Sequence, residues 1–229
     1  LNIKNIKSVS SIKELYDLNL DFIFSFQFDQ IISQKVIDIP NNGAINLHFS
    51  PLPKYRGVSP IAWALINGEK TYGVTLHCMD PGVDTGDIIS QSTFNIESLN
   101  NARELYEACE KSGINLFNQT LDQLISKNLA TKAQNNSEAI YYSKGSINFK
   151  KSEINFNQST YMLYNWIRAF IFPPFQYPFF KLNKSLKYVK SAKPIYKKNN
   201  FEKPGTVIKK SENDLLIATQ DSYIALTIQ

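Results

Sequence analysis

Six of the nine glycines, Gly43, Gly57, Gly68, Gly73, Gly82 and Gly86, fall between residues 43 and 87, and both histidines lie there too. Glycine admits positive φ and close backbone approach, so this stretch must consist of short elements joined by shaped loops. Residues 44–49, Ala-Ile-Asn-Leu-His-Phe, read as a buried strand after the Asn42-Gly43 turn signal. Alternation puts Asn46 and His48 on one face and Ile45 and Leu47 on the other. Pro51 and Pro53 then push Ser50 and Leu52 toward extended conformations outside a regular ladder, so the chain leaves the sheet just after His48. In an open α/β sheet that carboxyl edge is where ligands bind.

A second strand over residues 73–79 feeds the loop Asp80-Pro81-Gly82-Val83-Asp84-Thr85-Gly86-Asp87 before another apolar run begins at Ile88. Two glycines and a proline fix its path, which suits it to hold Asp84 or Asp87 in a set position. An amide, an imidazole and a carboxylate are thus expected to meet at one sheet edge, a set that suits acyl transfer to an amine. Each part also has a plainer reading: Asn-x-His as a satisfied polar pair, Asp84 as a turn closer, Asp87 as a strand start.

Around this stretch the pattern alternates between helix and strand. A short helix is expected over 10–19 with Ile12, Leu15 and Tyr16 on one face, then an apolar strand over 21–28, central and parallel. Residues 58–68 read as a helix capped by Ser59, with Pro60 in its first turn and Gly68 at its stop; the N–H groups at its start favour an anion near Arg56. A strand over 88–96 precedes the longest helix, from Asn101 to about Asn128, with Asn101 and Glu104 at capping-box spacing and a core stripe of Leu105, Cys109, Leu116, Leu121, Leu124 and Ile125. Residues 129–155 read as a polar linker with one strand-like piece at 139–142. A helix over 161–172 ends before Pro173-Pro174, and β runs follow at 179–182, 186–189, 206–208, 215–218 and 223–227. Lys181, Lys184, Lys187, Lys190 and Lys193 recur every third residue, matching neither one strand face nor one helix face.

The chain of 229 residues is long enough for one full domain plus a small appendage. Residues 1–149 carry 12 Lys/Arg against 15 Asp/Glu, a net of −3, and residues 150–229 carry 13 against 5, a net of +8. The basic part either meets an anion, such as a nucleotide diphosphate or a nucleic-acid backbone, or is a solvated surface. Cys78 and Cys109 are too few for a disulfide framework and lack metal-ligand spacing, and two histidines make a protein-only zinc site unusual, so no metal is expected. No apolar run is long enough to cross a bilayer and no signal segment is seen, which points to a cytoplasmic chain without membrane attachment.

The combination Asn46-Leu47-His48-Phe49-Ser50-Pro51-Leu52-Pro53-Lys54-Tyr55-Arg56-Gly57, then Gly73-Val74-Thr75 and residues 80–87, closely resembles the folate-dependent formyltransferases. That resemblance implies a Rossmann-like, open, mostly parallel α/β sheet flanked by helices in residues 1–150. A linker helix and a small β-rich, OB-like domain would follow in residues 151–229. Its catalytic Asn, His and Asp map onto Asn46, His48 and Asp84. Phe26, Phe28, Ile31, Met79, Asp80 and Val83 are implied around the folate, the first three equally readable as core, and Ser50, Arg56 and Arg168 around the second substrate, with Arg168 equally readable as a helix-end cation. Members of the family begin with a strand–helix–strand unit of more than ~30 residues, so the start at Leu1 reads either as a truncated start or as a member with a shortened N-terminal unit.

The implied donor is N10-formyltetrahydrofolate. His48 is the natural partner of the amine proton, as general base or electrostatic stabiliser; Asp84 would raise its pKa, and Asn46 would donate an N–H to the developing oxyanion. The Ser-Pro-Leu-Pro-Lys-Tyr-Arg-Gly form and the Trp166-Ile167-Arg168-Ala169-Phe170 segment look most like sugar-nucleotide N-formyltransferases. The implied acceptor is then a dTDP- or UDP-linked amino-deoxysugar, for example dTDP-4-amino-4,6-dideoxyglucose, used for surface polysaccharides such as lipopolysaccharide O-antigen. Methionyl-tRNA is the alternative acceptor, and a binding protein without turnover is a third reading. The C-terminal β segment is a candidate homodimer surface.

Overall fold

The structure is a computed structural model that describes residues 6, 8–28, 30–197 and 202–229. It is an α/β fold in which a sheet flanked by helices is followed by an antiparallel β-rich region. The chain divides into two units, Leu1–Pro60 with Tyr72–Phe94 and Cys109–Ser143, and Ile61–Thr71 with Asn95–Ala108 and Lys144–Gln229.

In the first unit, helix α1 (Val9–Asp17) starts at Ser8, whose hydroxyl accepts the Ser11 N–H at 3.1 Å, so the cap lies two residues earlier than the sequence suggests. Tyr16, expected on its buried face, is exposed. Strand β1 (Ile23–Phe26), the short helix α2 (Gln34–Ile37) and strand β2 (Ala44–His48) follow, then β3 (Arg56–Gly57), β4 (Thr71–Cys78) and β5 (Ile88–Asn95). The four-stranded sheet runs β1-β2-β4-β5. β1 pairs with β2 in parallel as expected, but it is the outermost of the described strands rather than a central one. β2 pairs with β4 antiparallel, so the described sheet is mixed.

In chain order helix α3 (Pro60–Ile66) comes after β3 and before β4, and α4 (Ala102–Ile125) comes after β5. Asn101 caps α4 by accepting the Glu104 N–H at 3.0 Å, and Glu104 returns a carboxylate oxygen to the Asn100 N–H at 2.7 Å. The buried row of α4 is Ala102, Leu105, Cys109, Gly113, Leu116, Thr120 and Leu124. Leu121 and Ile125, expected in that stripe, are 39% and 69% exposed, because each sits about 100° around the helix from the buried row. Thr120 occupies the row instead and satisfies its hydroxyl on the Leu116 carbonyl at 2.8 Å. Gly113 lets the helix approach β2: a Cβ there would lie 2.6 Å from Leu47 Cδ2.

The stretch after α4 is not the free linker that its polarity suggests. Lys132 bridges to Ile88, and strand β6 (Tyr141–Tyr142) pairs in parallel with β3.

In the second unit, helix α5 (Thr160–Ala169) is capped by Ser159 and buries Leu163 and Ile167 in one cluster with Val189, Ile217, Ile224 and Leu226. The five expected strands are all present, as β7 (Phe179–Leu182), β8 (Ser185–Ile195), β9 (Val207–Lys210), β10 (Asp214–Ala218) and β11 (Tyr223–Ile228), ordered β7-β8-β11-β10-β9. The register between β8 and β11 shifts by one between Ile228↔Val189 and Thr227↔Ser191. That extra residue changes the phase of β8, so Lys190 and Lys193 both face outward despite being three apart. Lys181, Lys184, Lys190 and Lys193 are thus exposed, whereas Lys187 is half-buried opposite the buried Phe180. No helix among the described residues is long and apolar enough to cross a membrane.

The burial pattern of α4 predicts that Leu116→Ala costs ~3 kcal/mol while Leu121→Ala changes stability by no more than ~0.5 kcal/mol, read as midpoints of urea unfolding. Equal losses would contradict this assignment of its buried row.

Candidate active site

Strand register assembles the polar face of the first unit. Antiparallel pairing sets Asn46 opposite His77 and His48 opposite Thr75, while Leu47 turns to α4 on the other face. Because β2 and β4 run in opposite directions, the carboxyl end of β4 lies at the start of β2, with the Met79 N–H on the Ala44 carbonyl. His48 ends β2, so the three expected groups do meet at the carboxyl end of that strand, although β4 does not end there. The loop after β4 brings Asp84 back against the sheet.

Asp84 adopts φ +55, a left-handed conformation that aspartate tolerates better than most side chains. Its Oδ2 accepts the Gly57 N–H at 2.8 Å. Its Oδ1 lies 3.4 Å from Asn46 Nδ2, 3.6 Å from His48 Nδ1 and 3.6 Å from His77 Nε2. The Gly57 donor is available because the Arg56 and Val58 N–H groups are the ones that face β6, bonding the carbonyls of Ile140 and Tyr142. Gly57 itself has φ +92, and a Cβ there would overlap the Tyr142 carbonyl, so no other residue fits this crossing.

The hydrogen bonds fix how each imidazole is used. His48 Nε2 lies 2.9 Å from the Tyr55 carbonyl and His77 Nδ1 lies 2.8 Å from the Cys78 carbonyl. A carbonyl only accepts, so both nitrogens carry the proton in the neutral rings. Neutral His48 then presents the lone pair of Nδ1 toward Asp84, and neutral His77 accepts from Asn46 Nδ2 at 3.1 Å. Burial lowers the pKa of His48 and outweighs the neighbouring Asp84 charge, so the elevated His48 pKa expected from the sequence is corrected. Burial alone would raise the Asp84 carboxyl, but the hydrogen bond and charges that the imidazoles of His77 and His48 offer in their protonated forms, together with the Gly57 N–H, bring it down to about 2. A persistent carboxylate thus sits beside an imidazole whose neutral form is favoured.

The other expected residues are placed differently. Ser50 is fully buried and donates its hydroxyl to the Lys54 carbonyl at 2.9 Å. Arg56 is 7% exposed and directs its guanidinium to Gln134 Oε1 and Asn136 Oδ1 rather than to solvent. Arg168, in the second unit, is buried, donates to Asn165 Oδ1 at 3.0 Å and to the Leu99 carbonyl at 3.3 Å, and lies over the Tyr164 ring. Phe26 packs edge-on against Phe117 of α4, on the face of the sheet opposite Asn46 and His48. Phe28, Ile31 and Val83 are exposed, so they are not core, and Met79 is half-buried. Asp80 closes its own turn, accepting from the Gly82 N–H and the Thr85 hydroxyl.

Two contributors were missed. His77 follows the same period-two alternation as Thr75, but its meeting with Asn46 depends on register between strands. Gln134 reaches the site from the supposed linker, donating from Nε2 to the Asp84 and Gly86 carbonyls at 2.8 and 2.7 Å. Among the described residues, no group of three or more His, Cys, Asp or Glu side chains is arranged to hold a metal ion.

The chain belongs to the formyl transferase family. Residues 5–121 match the formyl transferase domain and residues 146–229 match the formyl transferase C-terminal domain. It is 37% identical to the methionyl-tRNA formyltransferase of Clostridium tetani (strain Massachusetts / E88) over 94% of this chain and 68% of that protein. Among solved structures, the N-formyltransferase from Helicobacter canadensis in complex with folinic acid and dTDP-3-aminofucose is 31% identical. It superposes with a TM-score of 0.77 over 95% of this chain and 77% of the other. WlaRD, a sugar 3N-formyl transferase crystallised with dTDP and 5-N-formyl-THF, is 33% identical with a TM-score of 0.77, covering 93% and 76%. This chain is accordingly a formyl-transferring enzyme by family.

In 15N NMR of the two histidines, His48 is expected to titrate below an ordinary histidine, and Asp84→Asn to lower its midpoint further by removing the charge that favours the imidazolium. The folded chain holds His48 neutral where the unfolded chain protonates it, so acidification below the ordinary histidine value favours unfolding. A His48 midpoint at or above that value would contradict the burial argument.

Proposed function

We propose that this chain moves the formyl group of N10-formyltetrahydrofolate to the amine of a nucleotide-linked amino-deoxysugar. The observation that carries this reading is the likeness along 95% of the chain to the Helicobacter canadensis enzyme, whose structure holds folinic acid and dTDP-3-aminofucose. The first unit supplies the polar set that such a transfer needs. Residues 1–150 are assigned the chemistry.

Bound folate would supply the formyl carbon as the electrophile and N10 as the leaving group, the C–N10 bond breaking as the new amide bond forms and N10 ending with the proton that the amine gives up. The amine attacks in its neutral form and must then shed a proton, so an acceptor is needed beside it. His48 Nδ1 offers that lone pair, and the ionised Asp84 carboxylate stabilises the imidazolium it becomes. Both N–H bonds of Asn46 are directed to protein, at 3.1 Å to His77 and 3.4 Å to Asp84. The longer of the two is the one a formyl oxygen can replace as it gains negative charge. His77 holds the amide in that orientation. Phe28, Ile31, Met79, Asp80 and Val83 are assigned to the folate; Phe28 and Ile31 leave apolar surface open to a planar ring.

A second reading takes methionyl-tRNA as the acceptor, and its support is the 37% identity to the Clostridium tetani enzyme together with the exposed Lys190 and Lys193 of β8. The two differ in salt response. A tRNA complex releases many counterions and weakens steeply with salt, whereas a nucleotide sugar with one or two phosphate contacts responds little.

Mass spectrometry of reactions with N10-formyltetrahydrofolate and a panel of dTDP- and UDP-linked amino sugars, with methionyl-tRNA alongside, is expected to show one added formyl group on a sugar nucleotide. Asn46→Ala and Asp84→Asn should each lower turnover by roughly 100-fold or more. Formylation of methionyl-tRNA alone would replace the first reading with the second, and near-normal turnover in both variants would remove Asn46 and Asp84 from the chemistry.

A further inference from the structure

Every polar atom of the Gln134 amide is used. Nε2 donates to the Asp84 carbonyl at 2.8 Å and the Gly86 carbonyl at 2.7 Å, bracketing the turn that carries the carboxylate. Oε1 accepts from Arg56 Nε at 3.0 Å and Nη2 at 2.7 Å, and the same Nη2 donates to Asn136 Oδ1 at 2.9 Å. The residue after Arg56 is Gly57, whose N–H holds Asp84 Oδ2. One neutral amide therefore fastens together the two segments that meet at the carboxylate, the strand that donates to it and the loop that carries it.

We propose that Gln134 is a positioning residue for formyl transfer, holding Asp84 in its left-handed conformation against His48 and His77. The inference rests on the reading of Asp84 as part of the reactive set. A non-glycine residue at φ +55 persists only where its surroundings over-determine it, and the two bonds from Nε2 act on the carbonyls at and just after that residue. A glutamine suits this task chemically. It needs two N–H donors on one side and an acceptor for a guanidinium on the other, which glutamate, alanine and lysine each fail to combine. Without the bracket the turn relaxes, and the carboxylate moves relative to His48 Nδ1.

The test uses the full chain and the variants Gln134→Ala and Gln134→Glu. Glutamate keeps the acceptor for Arg56 and so preserves the β3 contact, but places an anion against the two carbonyls. The chain has two histidines, so 15N NMR titration isolates the His48 ring directly. In Gln134→Ala the His48 midpoint is expected to fall, because the charge that favours its imidazolium has moved away; in Gln134→Glu the added carboxylate opposes that fall, so its shift is the smaller of the two. Turnover should drop by roughly 100-fold, with KM for both substrates within about twofold and an unchanged circular dichroism spectrum. Histidine midpoints and turnover at wild-type values would overturn the proposal, as would unfolding of both variants, which would assign Gln134 to the fold instead. The titration does not depend on the acceptor: shifted midpoints in a chain that formylates no sugar nucleotide would uphold the clamp and reject the acceptor reading. Unmoved midpoints with a formylated sugar would do the reverse.

Discussion

The antiparallel pairing that sets Asn46 opposite His77 is the constraint on which the catalytic unit depends. It fixes which nitrogen of each imidazole is tied to a carbonyl and which is left for the site. It also sends the chain after β4 to the far end of β2, so that a loop must return over the sheet to deliver a carboxylate. The loop can end there because Gly57 has a backbone N–H directed away from β6. Strand register, tautomer and charge are thus successive consequences of one ladder.

Burial then sorts the charges. His48 and Asp84 share an environment that penalises any ion, yet they respond in opposite senses. The imidazole loses its proton because desolvation outweighs the carboxylate, whereas the carboxyl stays ionised because donors surround it. A base and a fixed anion side by side follow from unequal hydrogen bonding at similar depth. Ser50, Arg56 and Arg168 show the opposite outcome: residues that the family resemblance marked as ligand contacts turn their polar atoms inward onto protein acceptors.

Much of this is legible in the amino-acid sequence. Prolines after His48, glycines around Asp84, the Asn101 cap and the five C-terminal strands all act through local chemistry, and all appear where the pattern placed them. What failed depended on distance or on phase. His77 joins Asn46 across 31 residues through strand register, and Gln134 joins Asp84 across 50 from a stretch whose polarity suggested a linker. Leu121 and Ile125 were read into the buried row of α4 because they are apolar, while Gly113 and Thr120 hold positions in it that composition does not advertise. The sense of the His48 shift was missed because a sequence names the neighbours of a group without giving its depth.

The contact between Gly57 and Asp84 is made by a main-chain atom. Side-chain replacement cannot delete that donor, and only proline removes it. Sequence drift around the site can change its direction, by altering how Arg56 and Tyr142 seat the backbone, but it cannot change its identity. The carboxylate therefore has one partner whose chemistry is independent of the genetic code, and the evolvable part of its environment is confined to the histidines, Asn46 and the residues that aim the peptide plane.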